Sequence, residues 1–240
     1  MNVRLLVAGT IAGLFACGCA QSSVPLPSGG APAAQVRVAG LIPRAIPQLD
    51  FFDTPSRGSW PGYIVAGPQN ALWFTEEFTG NIGRITTDGQ ITEFPADGQE
   101  VEGITEGPDG NLWFTQPGAN AIGRMTPQGT ATIFPIPGSP NASPRGITPG
   151  PDGNVWYTEF YDGCIGRVTP QGVITRFTLP DAYDSFPWDI RTGPGGYMYV
   201  SESGTDRIAR FDLKTQQFKS SLDVQTQNAT PWGLLYAPDK

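Results

Sequence analysis

The 240-residue chain is 39% hydrophobic and 15% charged, long enough for one large all-β domain or two small ones. Its acidic balance, 22 Asp and Glu against 15 Lys and Arg, argues against a nucleic-acid partner, which needs clustered basic residues. The 240 residues contain no His, the commonest general base and a favoured metal ligand, so any chemistry must rest on carboxylates, hydroxyls, Lys, Arg or backbone.

The N-terminus reads as an address. Arg4 supplies a short positive region, and Leu5 to Phe15 is an apolar run too short to span a bilayer as a helix. It ends at Leu14-Phe15-Ala16-Cys17-Gly18-Cys19, which resembles a bacterial lipobox, whose Cys is acylated. Cys17 fits best, Cys19 is the alternative, and an ordinary cleaved signal stays open. Residues 1–19 are thus expected to be a lipoprotein-type signal, and residues 20–47, rich in Pro, Ala, Gly and Ser, a tether. The expectation is export across the inner membrane and lipid anchoring in the cell envelope, with a soluble periplasmic or extracellular protein as the alternative. Membrane contact would then run only through the lipid. Cys164 is left alone in the domain, so no disulfide or Cys-based metal site is expected.

From residue 48 onward the chain repeats. Gly67-Pro68, Gly107-Pro108, Gly150-Pro151 and Gly193-Pro194 recur at intervals of 40, 43 and 43 residues. Trp73, Trp113, Trp156 and Tyr199 keep the same intervals, as do the triplets beginning at Ile82, Ile122, Ile165 and Ile208 and the residues Phe94, Phe134, Phe177 and Phe218. Within one unit, Gly146-Ile147-Thr148 reads as a strand that turns at Asp152-Gly153 into Val155–Glu159. A third strand around Ile165–Thr169 turns at Pro170-Gln171-Gly172 into Val173–Phe177. Four short antiparallel strands per repeat of this length predict an all-β fold, a β-propeller of four-stranded antiparallel blades. The blades are placed at about 62–95, 102–137, 144–180 and 187–219, with a partial unit at 230–240. Leu49-Asp50-Phe51-Phe52 reads as an outer strand of a preceding blade, and Thr230-Pro231-Trp232-Gly233-Leu234 as the opening of a fifth. Four complete blades plus partial terminal strands imply an incomplete or open ring: a truncated product, an open wedge, or a unit completed by a second copy in a homo-oligomer.

The stretch Gly107 to Thr115, with Ile122-Gly123-Arg124 and Phe134-Pro135-Ile136-Pro137, resembles the streptogramin B lyase (virginiamycin B lyase) family and, more broadly, NHL-like propellers. The resemblance covers about Leu49 to Lys240. It implies a seven-bladed propeller that opens a cyclic depsipeptide antibiotic by Mg²⁺-assisted elimination. The family's base is a His at the opening of a blade, paired with a Glu that ends the Trp-Phe-Thr-Glu strand. Here the His-equivalent positions hold Gly62, Glu102, Arg145, Trp188 and Trp232, and the Glu-equivalent positions Glu76, Gln116, Glu159 and Glu202.

The two sets of positions flank the first hairpin of each blade and are expected to gather at one rim of the central channel. Glu76, Glu102, Arg145, Trp188 and Trp232 are the candidate ligand rim. Glu159 and Glu202 are the candidate catalytic carboxylates and the candidate ligands of Mg²⁺. Against these stand plainer readings: the Glu side chains cap strand ends in solvent, Arg145 pairs with Glu159 across the strands, and the recurrent Arg residues bond between blades. Tyr161, Asp162, Tyr183 and Asp184 are placed in loops between strands. With no His present, the reading is a secreted or envelope-anchored binding module for a small molecule, peptide or envelope component. A divergent Mg²⁺-dependent lyase and an inactive truncated paralogue are the alternatives.

Overall fold

The computed structural model describes residues 50–97, 100–226 and 228–235, so the signal, the tether, Cys17 and Cys19 lie outside the described residues. Sixteen strands form four separate sheets of four. The first holds β1 (Pro61–Gly67), β2 (Ala71–Glu76), β3 (Asn81–Ile85) and β4 (Ile91–Pro95). The second holds β5 (Ile104–Glu106), β6 (Leu112–Gln116), β7 (Ala121–Met125) and β8 (Ala131–Pro135). The third holds β9 (Pro144–Pro149), β10 (Val155–Glu159), β11 (Cys164–Val168) and β12 (Ile174–Thr178). A short helix, α1 (Ala182–Ser185), precedes the fourth: β13 (Pro187–Thr192), β14 (Tyr197–Glu202), β15 (Arg207–Asp212) and β16 (Gln217–Asp223). Each sheet is an antiparallel meander in chain order, as the repeat predicts for propeller blades.

The blades stack face to face, and the apolar core lies between them. Trp73 and Ile82 of the first blade pack on Leu112, Phe114 and Met125 of the second. Trp113 and Ile122 pack on Val155, Tyr157 and Val168 of the third, and Trp156 and Ile165 on Met198, Val200 and Phe211 of the fourth. The period-2 alternation of strands explains the pattern, because alternate residues of one strand feed two different interfaces. Each recurrent Trp stacks on the Phe of its own outer strand, with centroids 5.6 Å apart in the first three blades. The recurrent Arg84, Arg124 and Arg167 lie over both rings. Of these, Arg124 also donates to the Pro170 carbonyl of the next blade, at 2.6 Å.

The ends obey the same packing. Phe94 lies against Gly129 and Phe134 against Gly172, at turns whose φ values of +90° and +86° favour glycine and whose missing Cβ leaves room for the ring. Phe52 sits against Gly89 in the same way, so it fills the outer-strand place expected of it, although residues 50–60 form no strand.

The inner strands of neighbouring blades are tied by buried hydroxyls. Gly103 N–H donates to Thr115 Oγ1 (2.8 Å), whose own hydroxyl donates to the Arg145 carbonyl of the next blade (2.9 Å). Thr158 accepts from Gly146 N–H and donates to the Trp188 carbonyl, both at 3.0 Å. Ser201 accepts from Asp189 N–H (3.0 Å) and donates to the Trp232 carbonyl (3.3 Å). The terminal Trp232 segment therefore occupies the inner-strand place of a further blade. Thr158→Val keeps the shape but leaves a partly buried donor, Gly146 N–H, and a partly buried acceptor, the Trp188 carbonyl, without this partner. It is expected to lower unfolding stability by about 2 kcal/mol in urea titration, and an unchanged midpoint would contradict the tie.

Candidate functional site

Three of the four inner strands, those of the first, third and fourth blades, are disturbed at their start. Register slips fall between Pro61 and Ile64, between Pro144 and Ile147 (opposite Glu159 and Tyr157), and between Pro187 and Ile190. Such slips re-aim side chains out of the regular pleat. The residue before the proline that opens each of these strands is left-handed as well, at Trp60 (φ 51°), Ser143 (φ 50°) and Phe186 (φ 42°), and so is Thr230 (φ 40°) before Pro231. That conformation is unusual for bulky residues and for any residue preceding proline. Two devices thus redirect the chain at the point where Gly62, Arg145 and Trp188 follow, and the left-handed Thr230 alone precedes Trp232.

Glu102, Arg145, Trp188 and Trp232 form one continuous track. Glu102 and Arg145, from neighbouring blades, make an ion pair at 2.7 Å. The Arg145 guanidinium lies over the Trp188 ring at 4.8 Å and over Phe160 at 5.2 Å. Trp188 stacks in turn on Trp232, with centroids 5.0 Å apart and 17° between planes. Phe160 meets Trp188 edge-on at 5.5 Å. Asp189 accepts Leu234 N–H at 2.9 Å, which holds the Trp232 segment against the fourth blade. Burial and the carboxylates of Glu102 and Asp189 hold the Tyr63 phenol above its usual range. Trp232 is the more exposed member of the stack, with 59% of its surface open.

The Glu series is placed otherwise. Glu76, Glu159 and Glu202 end corresponding strands, but their exposures are 0%, 0% and 1%, so they cap nothing in solvent. Arg145 pairs with Glu102 rather than with Glu159, because the register slip turns Arg145 toward the preceding blade. Glu159 is gripped by Arg176 of β12, whose Nε donates to both carboxylate oxygens (3.0 and 2.8 Å) and whose Nη2 donates at 2.5 Å; Arg176 also pairs with Asp162. Burial pushes the Glu159 carboxyl up against the pull of Arg176. Glu202 accepts from Thr205 Oγ1 at 2.6 Å, and burial pushes its carboxyl up too.

Glu159 and Glu202 share no partner, and among the described residues no group of three or more Cys, Asp and Glu is arranged to hold a metal ion. A Mg²⁺ at Glu159 would have to displace the Arg176 guanidinium that already holds its carboxylate. Tyr161 and Asp162 lie in a hairpin turn, whereas Tyr183 and Asp184 lie on α1 rather than in a loop. Phe160, Phe186 and Asp189 belong to the rim without having been singled out in the sequence; the aromatic density of Ser185-Phe186-Pro187-Trp188 was the available signal.

In the first blade, Glu76 accepts from Thr79 (2.9 Å) and Asn81 (3.2 Å) through Oε2, while its buried Oε1 has no donor. Burial raises the Glu76 carboxyl, the Thr79 and Asn81 hydrogen bonds pull it back, and the nearby Glu93 adds to the rise. A carboxyl raised in the native state stabilises fully below its unfolded value and loses that contribution as pH rises through its native value. Glu76→Gln, which stays uncharged, is therefore expected to gain melting temperature over the parent progressively as pH rises above the usual carboxylate range. A difference that stays constant with pH would contradict this.

The comparisons bear on family and fold. The virginiamycin B lyase family matches residues 42–240. The solved virginiamycin B lyase from Staphylococcus aureus is 37% identical with a TM-score of 0.74, over 78% of this chain and 63% of that one. A streptogramin B lyase structure is 34% identical with a TM-score of 0.72, over 76% of this chain and 60% of that one. A catalytically inactive histidine-to-alanine variant of the Staphylococcus aureus enzyme, crystallised with quinupristin, is 33% identical with a TM-score of 0.70, over 75% and 61%. The chain therefore spans less than two thirds of the length of these relatives. A comparison with curated proteins finds no match. On the family match and these identities, the chain belongs to the virginiamycin B lyase family.

Proposed function

We propose that this domain is a ligand-binding propeller that receives a streptogramin B-type cyclic depsipeptide on the track Glu102–Arg145–Trp188–Trp232. The observation that carries the reading is the Trp188–Trp232 stack, exposed at Trp232 and backed by Arg145. A flat apolar ligand face can extend such a stack, and an aromatic pair is worth about 1 kcal/mol beyond its buried area. The relative crystallised with quinupristin supports the choice of ligand class. Binding without turnover is favoured because the 240 residues contain no His and because Arg176 occupies the Glu159 carboxylate. The second reading, an elimination reaction, rests on the 37% identity to a solved lyase.

Titrating the purified domain with quinupristin and following tryptophan fluorescence tests the proposal. Saturable binding is expected, weakened about tenfold in Trp232→Ala, with intact cyclic quinupristin recovered by mass spectrometry. No binding would overturn the reading, and a linear product would establish the lyase instead. We infer further that the chain is exported and anchored through a lipid on Cys17, with Cys19 as the alternative. Labelled palmitate incorporated by the parent and lost in one of the two Cys→Ser variants is the expected result; labelling of neither site by the parent would exclude the anchor.

A further inference from the structure

Between β-strands two and three of every blade stands one residue in the left-handed region: Gly80 (φ 65°), Asn120 (φ 52°), Gly163 (φ 59°) and Asp206 (φ 56°). Its carbonyl has the same task four times. It accepts the N–H of the residue leaving, or just past, the outer strand: Ala96, Ile136, Leu179 and Val224, at 3.0, 3.0, 2.9 and 2.9 Å. Glycine suffices for that, and two blades use it. In the third blade glycine is required, because a Cβ on Gly163 would collide with the Ala182 carbonyl of α1.

The second and fourth blades carry side chains at this position, and both reach into the segment that leads to the next inner strand. Asn120 Oδ1 accepts Ala142 N–H at 2.6 Å, and its Nδ2 donates to the Ser139 carbonyl at 2.6 Å. Asp206 Oδ2 accepts Asn228 N–H and its Oδ1 accepts Thr230 N–H, both at 2.8 Å. The segments so held deliver Arg145 and Trp232, two members of the rim track. Thr230 is itself left-handed (φ 40°), a conformation that persists only where surroundings enforce it, and Asp206 binds its amide directly.

We propose that Asn120 and Asp206 are positioning residues of the ligand rim, Asp206 fixing Trp232 against Trp188 and Asn120 fixing the approach to Arg145. The proposal rests on the rim being the binding surface, but its geometric content can be tested without ligand. Glycine is the natural occupant of this turn position in two blades, so Asp206→Gly keeps the turn and removes only the clamp.

The readout is the far-ultraviolet circular dichroism couplet of the stacked indoles, assigned to this pair by its disappearance in Trp188→Phe. Among the described residues it is the one Trp–Trp stack. Asp206→Gly is expected to abolish the couplet while thermal unfolding stays cooperative, and to weaken quinupristin binding about as much as Trp232→Ala. Asp206→Asn, which turns a donor toward one of the two amides, is expected to leave an intermediate amplitude and serves if the glycine variant does not fold. An unchanged couplet in a folded Asp206→Gly, or in Asp206→Asn, would overturn the proposal. Loss of the couplet with unchanged quinupristin affinity would uphold the clamp and refute the rim as the binding surface.

Discussion

One small interaction organises the site: a buried hydroxyl that bonds in two directions at once. Thr115, Thr158 and Ser201 are fully buried, and each takes an N–H from its own blade's inner strand while giving its proton to a carbonyl of the next. No apolar side chain can serve both neighbours, and a buried amide left unpaired is costly. The carbonyls that receive these protons belong to Arg145, Trp188 and Trp232. The residues that display the rim side chains are therefore the residues whose backbone is bonded across the blade boundary. Rim geometry and blade-to-blade spacing are set by the same contacts.

The blades share a backbone plan and differ in what surrounds the Glu-equivalent position. The first blade sets Glu93 on its outer strand near Glu76, and Ser56 binds the Glu93 carboxylate through its N–H (2.8 Å) and hydroxyl (2.5 Å). The second replaces the acid with Gln116, whose amide donates to the Ala96 carbonyl at 2.6 Å. The third supplies Arg176 to Glu159, and the fourth gives Glu202 only a hydroxyl from Thr205. These are local solutions to a buried charge. They accommodate a row of carboxylates that the structure buries.

Much of the fold could be read before any coordinates, because four landmarks recur in four copies and each corresponds to a packing contact. The ends were legible too: Phe52 fills the outer-strand place against Gly89, and Trp232 takes the inner-strand place beside Trp188. The rim positions were legible as equivalents of one another, but their partners were not. Counting residues around a hairpin places Arg145 opposite Glu159 only if the strand pairing is regular, and the slip between Pro144 and Ile147 breaks that rule. Arg176 lies two strands away from Glu159, beyond the reach of hairpin arithmetic. The left-handed Phe186 and the clamps at Asn120 and Asp206 depend on backbone angles that no local motif announces.

The central claim is that the aromatic and charged track over the inner-strand starts is where this family member meets its ligand. A crystal structure of the domain grown with quinupristin tests it most directly. The account expects the ligand against the exposed Trp232, within contact of Trp188 and Arg145. A ligand seated in the shallow depression of about 300 Å³ beside Tyr161, Arg176 and Tyr183, with Trp232 bare, would contradict it.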